Sequence, residues 1–192
     1  MEPMAATAAA MPVSTQGALV RRAASGDAVA FEQLVTVRAD RAFRIARAIL
    51  GNDPDASDAT QEAFVSAWRE LPKLRNPDSF DAWLRRILVN ACRAQLRGRK
   101  RVREISLDVS HDRREPGPAV SDQVGDTDLL AHAFERLDAD KRSLLVLHYL
   151  DHEPVATIAN ALGVPVGTAK WRLSEARAAL QRALSAEGEA RR

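Results

Sequence analysis

The chain has 192 residues, 28 of them basic and 26 acidic, for a formal net charge of +2. Hydrophobic residues make up 46% but aromatics only 5%, and the dominance of alanine, leucine and arginine favours helices over a sheet-rich fold. A single cysteine, Cys92, excludes an internal disulfide framework and a cysteine-based zinc site, and no apolar run approaches the ~20 residues needed to span a bilayer.

Residues 1–16 open with MEPMAATAAAMP, which has neither a basic n-region nor a leucine-rich h-region. The segment reads as a disordered extension rather than a signal peptide, and the chain as a soluble cytoplasmic protein without membrane insertion. A short helix is expected over Gly17–Ser25, ending at Gly26-Asp27. From Ala28 to Leu50 the positions Phe31, Leu34, Val35, Ala42, Phe43, Ala46, Ile49 and Leu50 recur at spacings of three and four, a helical stripe. Gly51-Asn52-Asp53-Pro54 closes it. The next helix runs from about Asp55 to Leu71, with Ala63, Phe64, Ala67, Trp68 and Leu71 on one face and Asp58, Glu62, Arg69 and Glu70 elsewhere. After the polar loop 72–77, Asp78 or Ser79 is placed to cap a helix carrying Phe80, Trp83, Leu84, Ile87, Leu88 and Ala91.

That helix continues into a basic block. Between Arg85 and Arg103 stand Arg85, Arg86, Arg93, Arg97, Arg99, Lys100, Arg101 and Arg103, with no acid among them. Residues 102–127 break every period, contain Pro116-Gly117-Pro118 and are dominated by acids, so they read as a flexible linker. Helical pattern resumes at Asp128, in stripes over 129–137, 144–150 and 155–162, and in a last helix from Val166 or Gly167. The expected architecture is therefore all-α: one helical module over 17–101, the linker, a second module over 128–186, and a tail over 187–192.

The second module holds a helix, a turn of about four residues at Gly163-Val164-Pro165-Val166, and a second helix opened by Gly167-Thr168, the pattern of a helix-turn-helix. Gly163 permits left-handed backbone at the end of the first helix. Thr168 can donate or accept at the next helix's N-terminus, where free amides suit a phosphate. Beyond it Lys170, Trp171, Arg172, Ser174, Glu175 and Arg177 form a polar, largely basic face suited to the major groove.

Both modules together resemble the extracytoplasmic-function (ECF) class of bacterial sigma factors. In the first, Gly26-Asp27 followed by Ala30-Phe31-Glu32, then Asp58-Ala59-Thr60-Gln61-Glu62-Ala63-Phe64 with Ala67-Trp68-Arg69, carry the likeness. So does Phe80-Asp81-Ala82-Trp83-Leu84-Arg85-Arg86-Ile87 with Asn90. In the second, residues 137–142 and Val164-Pro165-Val166-Gly167-Thr168-Ala169-Lys170 match the family's last region. The resemblance implies a sigma region 2 bundle and a region 4 helix-turn-helix, and core RNA polymerase, promoter DNA and an anti-sigma factor as partners. It implies no cofactor and no catalysis.

It also implies roles for residues. Asp58, Gln61, Glu62 and Phe64 would dock on the polymerase, although Phe64 and Trp68 better suit a hydrophobic core, which leaves Asp58, Gln61 and Glu62 as the stronger contact candidates. Asn90, Arg93 and Arg97 would meet the −10 element, Asn90 by reading a base edge and the arginines through phosphates. Asn90 equally suits a structural hydrogen bond. Thr168, Lys170, Trp171, Arg172, Ser174, Glu175 and Arg177 would read the −35 element. Here the chain departs from the family pattern: Trp171 stands where a small residue is common, Glu175 where Arg is, Ala169 for Val and Thr157 for Glu. An unusual −35 preference is expected. A free-standing helix-turn-helix regulator is the alternative, but it leaves the motif at 58–68 without a purpose. The pair His148 and His152 has no further ligand nearby, and Cys92 sits on an apolar helical face.

Overall fold

In the computed structural model, residues 13–109 and 126–190 are described, and all the regular structure among them is helical. The first module comprises α1 (Val13–Ala24), α2 (Ala28–Leu50), α3 (Asp53–Glu70) and α4 (Phe80–Val109). The second comprises α5 (Asp126–Glu135), α6 (Ala139–Leu145), α7 (Val155–Leu162) and α8 (Val166–Ala190). Residues 110–125, most of the expected linker, lie outside the described residues, as do 1–12.

Local chemistry sets the helix ends. Asp27 accepts from the Ala30 amide and caps α2; that bond, then the Arg22 guanidinium, holds its carboxyl below the usual range. Gly51 ends α2 in left-handed backbone at φ 85°, and Asn52 accepts from the Asp55 amide to start α3. The expected cap at Asp78 or Ser79 is instead Asn76, whose side chain accepts from the Asp78 amide at the head of a short 3-10 turn leading into α4. Proline at position 77 explains the choice, since it favours the first turn and leaves the preceding residue in extended backbone.

The boundaries move outward at four places, one of them at α5, which starts at Asp126 where the linker was expected to run to 127. α1 begins at Val13, and Gln16 Nε2 donates to Asp81 at 3.2 Å, so the end of the expected disordered extension is folded against α4. α4 passes Arg101 and reaches Val109. α8 reaches Ala190, and Glu187 pairs with Arg136 at 2.6 Å, so part of the expected tail is helical.

Composition explains the packing of the first module. Ala56, Ala59, Ala63 and Ala67 of α3 and Ala42 and Ala46 of α2 are all buried. These small side chains allow the two helix backbones to approach closely, so few aromatics are needed to fill the space. Larger residues close the bundle elsewhere: Val20, Leu34, Ile49, Leu71, Phe80 and Val89 are at most 1% exposed. Cys92 joins this core with no exposed surface, and burial pushes its thiol up to about 12. A raised folded-state value stabilises the fold fully below the ordinary thiol range, and that contribution is lost as pH rises toward 12. We expect a thiol-specific chromogenic disulfide to leave Cys92 unlabelled at pH 8 and to label it fully in denaturant; equal labelling rates would contradict its burial.

The second module packs Leu144, Leu147, Ile158 and Leu173 about the turn between α7 and α8. Its apolar core is continuous with that of the first, because α4 rests against α6 and α7 and α2 rests against α6. Arg142, a buried arginine of α6, fastens this junction. Its guanidinium donates to the carbonyls of Leu137 (3.0 Å) and Glu135 in its own module and of Ile49 (3.3 Å) at the end of α2. Burial pulls its pKa down, and repulsion from Arg99 adds to the effect. The stripe expected over 144–150 does not stay α-helical. After Leu145 it widens into a π-helical turn, Val146–Leu150, in which the Asp151 amide reaches back to the Val146 carbonyl at 3.0 Å. His148 therefore lies in the π turn, and His152 beyond it with φ 53°, so the two do not share a helical face.

Candidate nucleic-acid and protein interfaces

The helix-turn-helix forms as its residues dictate. Gly163 ends α7 at φ 67° and ψ 37°, with its amide on the Asn160 carbonyl (3.1 Å) and the Val164 amide on that of Ala159 (3.0 Å). A side chain at position 163 would be strained by the left-handed backbone, although no atom lies within 4 Å of where its Cβ would stand. α8 then begins at Val166, three residues after that reversal. Ala169, Leu173 and Ala176 are buried and fix one face of α8 inward. Lys170, Ser174, Glu175 and Arg177 are exposed on the other side, and Trp171 is 64% exposed, a large apolar surface to leave in water. Thr168 and Arg172 are half-buried. Arg177 is not idle: its guanidinium lies 5.3 Å from the centre of the Tyr149 ring, a cation–π contact.

On α3, Asp58, Gln61 and Glu62 are exposed along the outer surface. Phe64 is only 9% exposed and belongs to the core, so it supplies packing rather than contact surface. Trp68 departs the other way. It is 36% exposed and tilts against Phe31 at 4.9 Å, with the exposed Val65 one turn back on the same helix. The outer edge of the first module is thus acidic and amide-bearing beside an apolar shelf, and the exposed aromatic of that shelf is of the kind enriched where protein partners meet.

On α4, Asn90 and Arg97 are exposed, whereas Arg93 pairs with Asp140 of α6 at 2.8 Å and keeps 15% of its side-chain surface. Arg93 and Arg97 share an open groove of about 780 Å³ with Trp171, Arg172 and Glu175. Residues expected to act at two separate DNA elements are brought onto one cleft.

Two arginines of the first module escaped the sequence reading. Arg38 is largely buried, pairs with Asp81 at 2.5 Å and lies 5.4 Å from the Phe80 ring centre. Arg85, read above as one member of a basic block, is 8% exposed and holds Asp151 and Glu153 of the second module. The signal for Arg85 was available: Leu84, Leu88, Val89 and Cys92 define the inward face of α4, and position 85 falls within that arc. Among the described residues there is no group of three or more potential metal ligands, and no helix long and apolar enough to cross a membrane.

Residues 34–102 match the Sigma-70 region 2 family and residues 127–180 the Sigma-70 region 4 family. Over 160 residues the chain is 34% identical to the ECF RNA polymerase sigma factor SigM of Mycobacterium tuberculosis, covering 83% of this chain and 80% of SigM. It is 33% identical to the ECF RNA polymerase sigma factor SigE of Mycolicibacterium smegmatis, covering 82% of this chain but spanning 64% of the length of SigE. Among solved structures it resembles the sigma factor RpoE bound to the anti-sigma factor NepR from Bartonella quintana. There the TM-score is 0.62 at 27% identity, covering 81% of this chain and 96% of RpoE. With region 2 and region 4 matched in that order on an all-helical frame, the chain belongs to the ECF sigma factors of bacterial RNA polymerase.

Proposed function

We propose that the protein binds core RNA polymerase in the cytoplasm and directs it to promoters, acting by recognition rather than catalysis. The outer surface of α3, with Asp58, Gln61 and Glu62, docks on the polymerase. Asn90 and Arg97 of α4, with Arg93 once freed from Asp140, engage the −10 element. The exposed side of α8, from Thr168 and Lys170 through Trp171, Arg172, Ser174 and Glu175 to Arg177, reads the −35 element. The observation that carries this reading is the exposure of two different recognition surfaces, one on each matched module. A protein that only bound DNA through α8 would have no use for an exposed acidic and amide row on α3. By analogy with RpoE and NepR, an anti-sigma factor is the expected regulatory partner.

Run-off transcription with added core polymerase, on a library of fragments from the source genome, tests it. Wild-type protein should yield transcripts from defined starts. Asp58→Lys with Glu62→Lys should lower that yield by about tenfold or more, since charge reversal in an interface replaces attraction by repulsion. Its thermal midpoint should stay close to wild type, because exposed substitutions cost within about 0.5 kcal/mol. Sequence-specific DNA binding without any polymerase-dependent initiation would establish a free-standing regulator instead.

A further inference from the structure

Between the modules lies an ion-pair cluster that promoter recognition does not call for. The turn Asp151-His152-Glu153 leaves the π-helical segment and presses two carboxylates against α2 and α4. Arg41 Nε lies 2.6 Å from Asp151 and its terminal nitrogen 3.1 Å from Glu153. Arg85 Nε lies 3.1 Å from the other Asp151 oxygen and its terminal nitrogen 2.5 Å from Glu153. The side chains of Asp151 and Arg85 are 4% and 8% exposed, so this is no surface pairing. His152, at φ 53°, is the one non-glycine residue in left-handed backbone among those described. That conformation is disfavoured for a side chain, and here it places the acids on either side of it toward the same pair of arginines.

We propose that this turn is a latch that holds the free chain closed and, by turning Arg93, Arg97, Trp171, Arg172 and Glu175 onto one cleft between the modules, masks part of each DNA-facing surface from a duplex. The masking rests on the function proposed above; the closure does not. In the closed form Arg93 is tied to Asp140, and Arg97, Trp171, Arg172 and Glu175 face one shared cleft. A compact chain of this length has a radius of gyration of about 16 Å. Elements named −10 and −35 are centred roughly 25 base pairs apart, which at ~3.4 Å each is about 85 Å. The closed form cannot reach both, so the latch must release before a bipartite promoter is read.

The chemistry suits release. The latch is built from charge, and the Asp151 oxygen facing Arg85 has no N–H aimed at it. Guanidinium groups held this way are free to exchange carboxylate for another anionic partner. Burial opposes the charge on Arg41, but hydrogen bonding to Asp151 and attraction from Asp151 and Glu153 outweigh it and raise the Arg41 pKa, so this guanidinium stays charged throughout the physiological range.

Spin labels on Gln33→Cys and Gln181→Cys, both exposed positions on α2 and α8, report the separation of the modules in a Cys92→Ala background. The otherwise unaltered chain should give one narrow distance distribution. Asp151→Asn with Glu153→Gln should shift most of it to longer, broader distances and tighten binding to duplex DNA by about tenfold, within the usual range of coupling between sites. Asp40→Asn with Glu70→Gln removes the same two charges from exposed positions and controls for the general attraction of DNA to a more basic chain. It should leave the distances unchanged. A broad distribution before any latch substitution, or a narrow one that survives loss of both acids, overturns the closure. Open distances with a DNA affinity no tighter than the control's overturn the masking.

Discussion

Alanine in place of Phe80 is expected to lower stability by about 3–5 kcal/mol, the range for removing a fully buried phenyl ring. Phe80 has no exposed surface, tilts against Trp83 at 5.9 Å and lies under the Arg38 guanidinium at 5.4 Å. Its loss removes the ring's transfer energy and leaves a cavity that α1, α2 and the start of α4 cannot close without moving. Arg38 would keep Asp81 but lose the aromatic face that now accompanies it. Set against a typical total of about 5–15 kcal/mol, this is about a fifth or more of the stability. Thermal unfolding followed by circular dichroism should show the midpoint falling by about 6–20 °C, at 2–4 °C per kcal/mol for a chain of this size. A fall of under about 3 °C would contradict the placement of Phe80 at the centre of the first module.

Glu175→Arg should redirect recognition at a single base pair. A carboxylate can accept from the N4 amino group of cytosine, whereas a guanidinium donates to O6 and N7 of guanine. Glu175 is exposed on α8, one turn beyond Trp171. Each well-formed base contact discriminates by about 1–3 kcal/mol, so the preference at that position should change by roughly 5- to 150-fold while its neighbours are little affected. Selection of randomised −35 sequences with the polymerase complex measures this directly, under conditions where the modules are parted. The same preferred base for both proteins would remove Glu175 from the reading surface.

The helices were legible because their apolar residues recur at three and four, and because glycine and proline mark their ends. Gly163 is the clearest instance: one residue type at one position announced both the turn and its left-handed backbone. The pattern failed where backbone hydrogen bonding departs from the regular ladder. Residues 144–150 carry a helical stripe, yet the π turn from Val146 shifts everything after it and separates His148 from His152. It failed again where a residue's partner is far along the chain. Arg85 reads as one more cation in a basic block, and nothing local says that its carboxylate lies 68 residues away. The exposed side of α8 was legible because it follows from helix geometry once the buried face of Ala169, Leu173 and Ala176 is known. Phe64 lies in the core and Trp68 at its margin, since the buried arc of α3 runs through Ala56, Ala59, Ala63 and Ala67 and the larger side chains fall toward one edge of it.

That alanine seam divides α3 into two halves that answer differently to substitution. Along the seam, a larger residue has no room in the buried interior and a glycine loosens the helix, so change in either direction is opposed. On the outer half, Asp58, Gln61 and Glu62 are exposed. A change there leaves the bundle intact and is felt only when a partner is bound. The helix keeps its position through a run of small side chains, and its outer surface can serve binding without serving the fold.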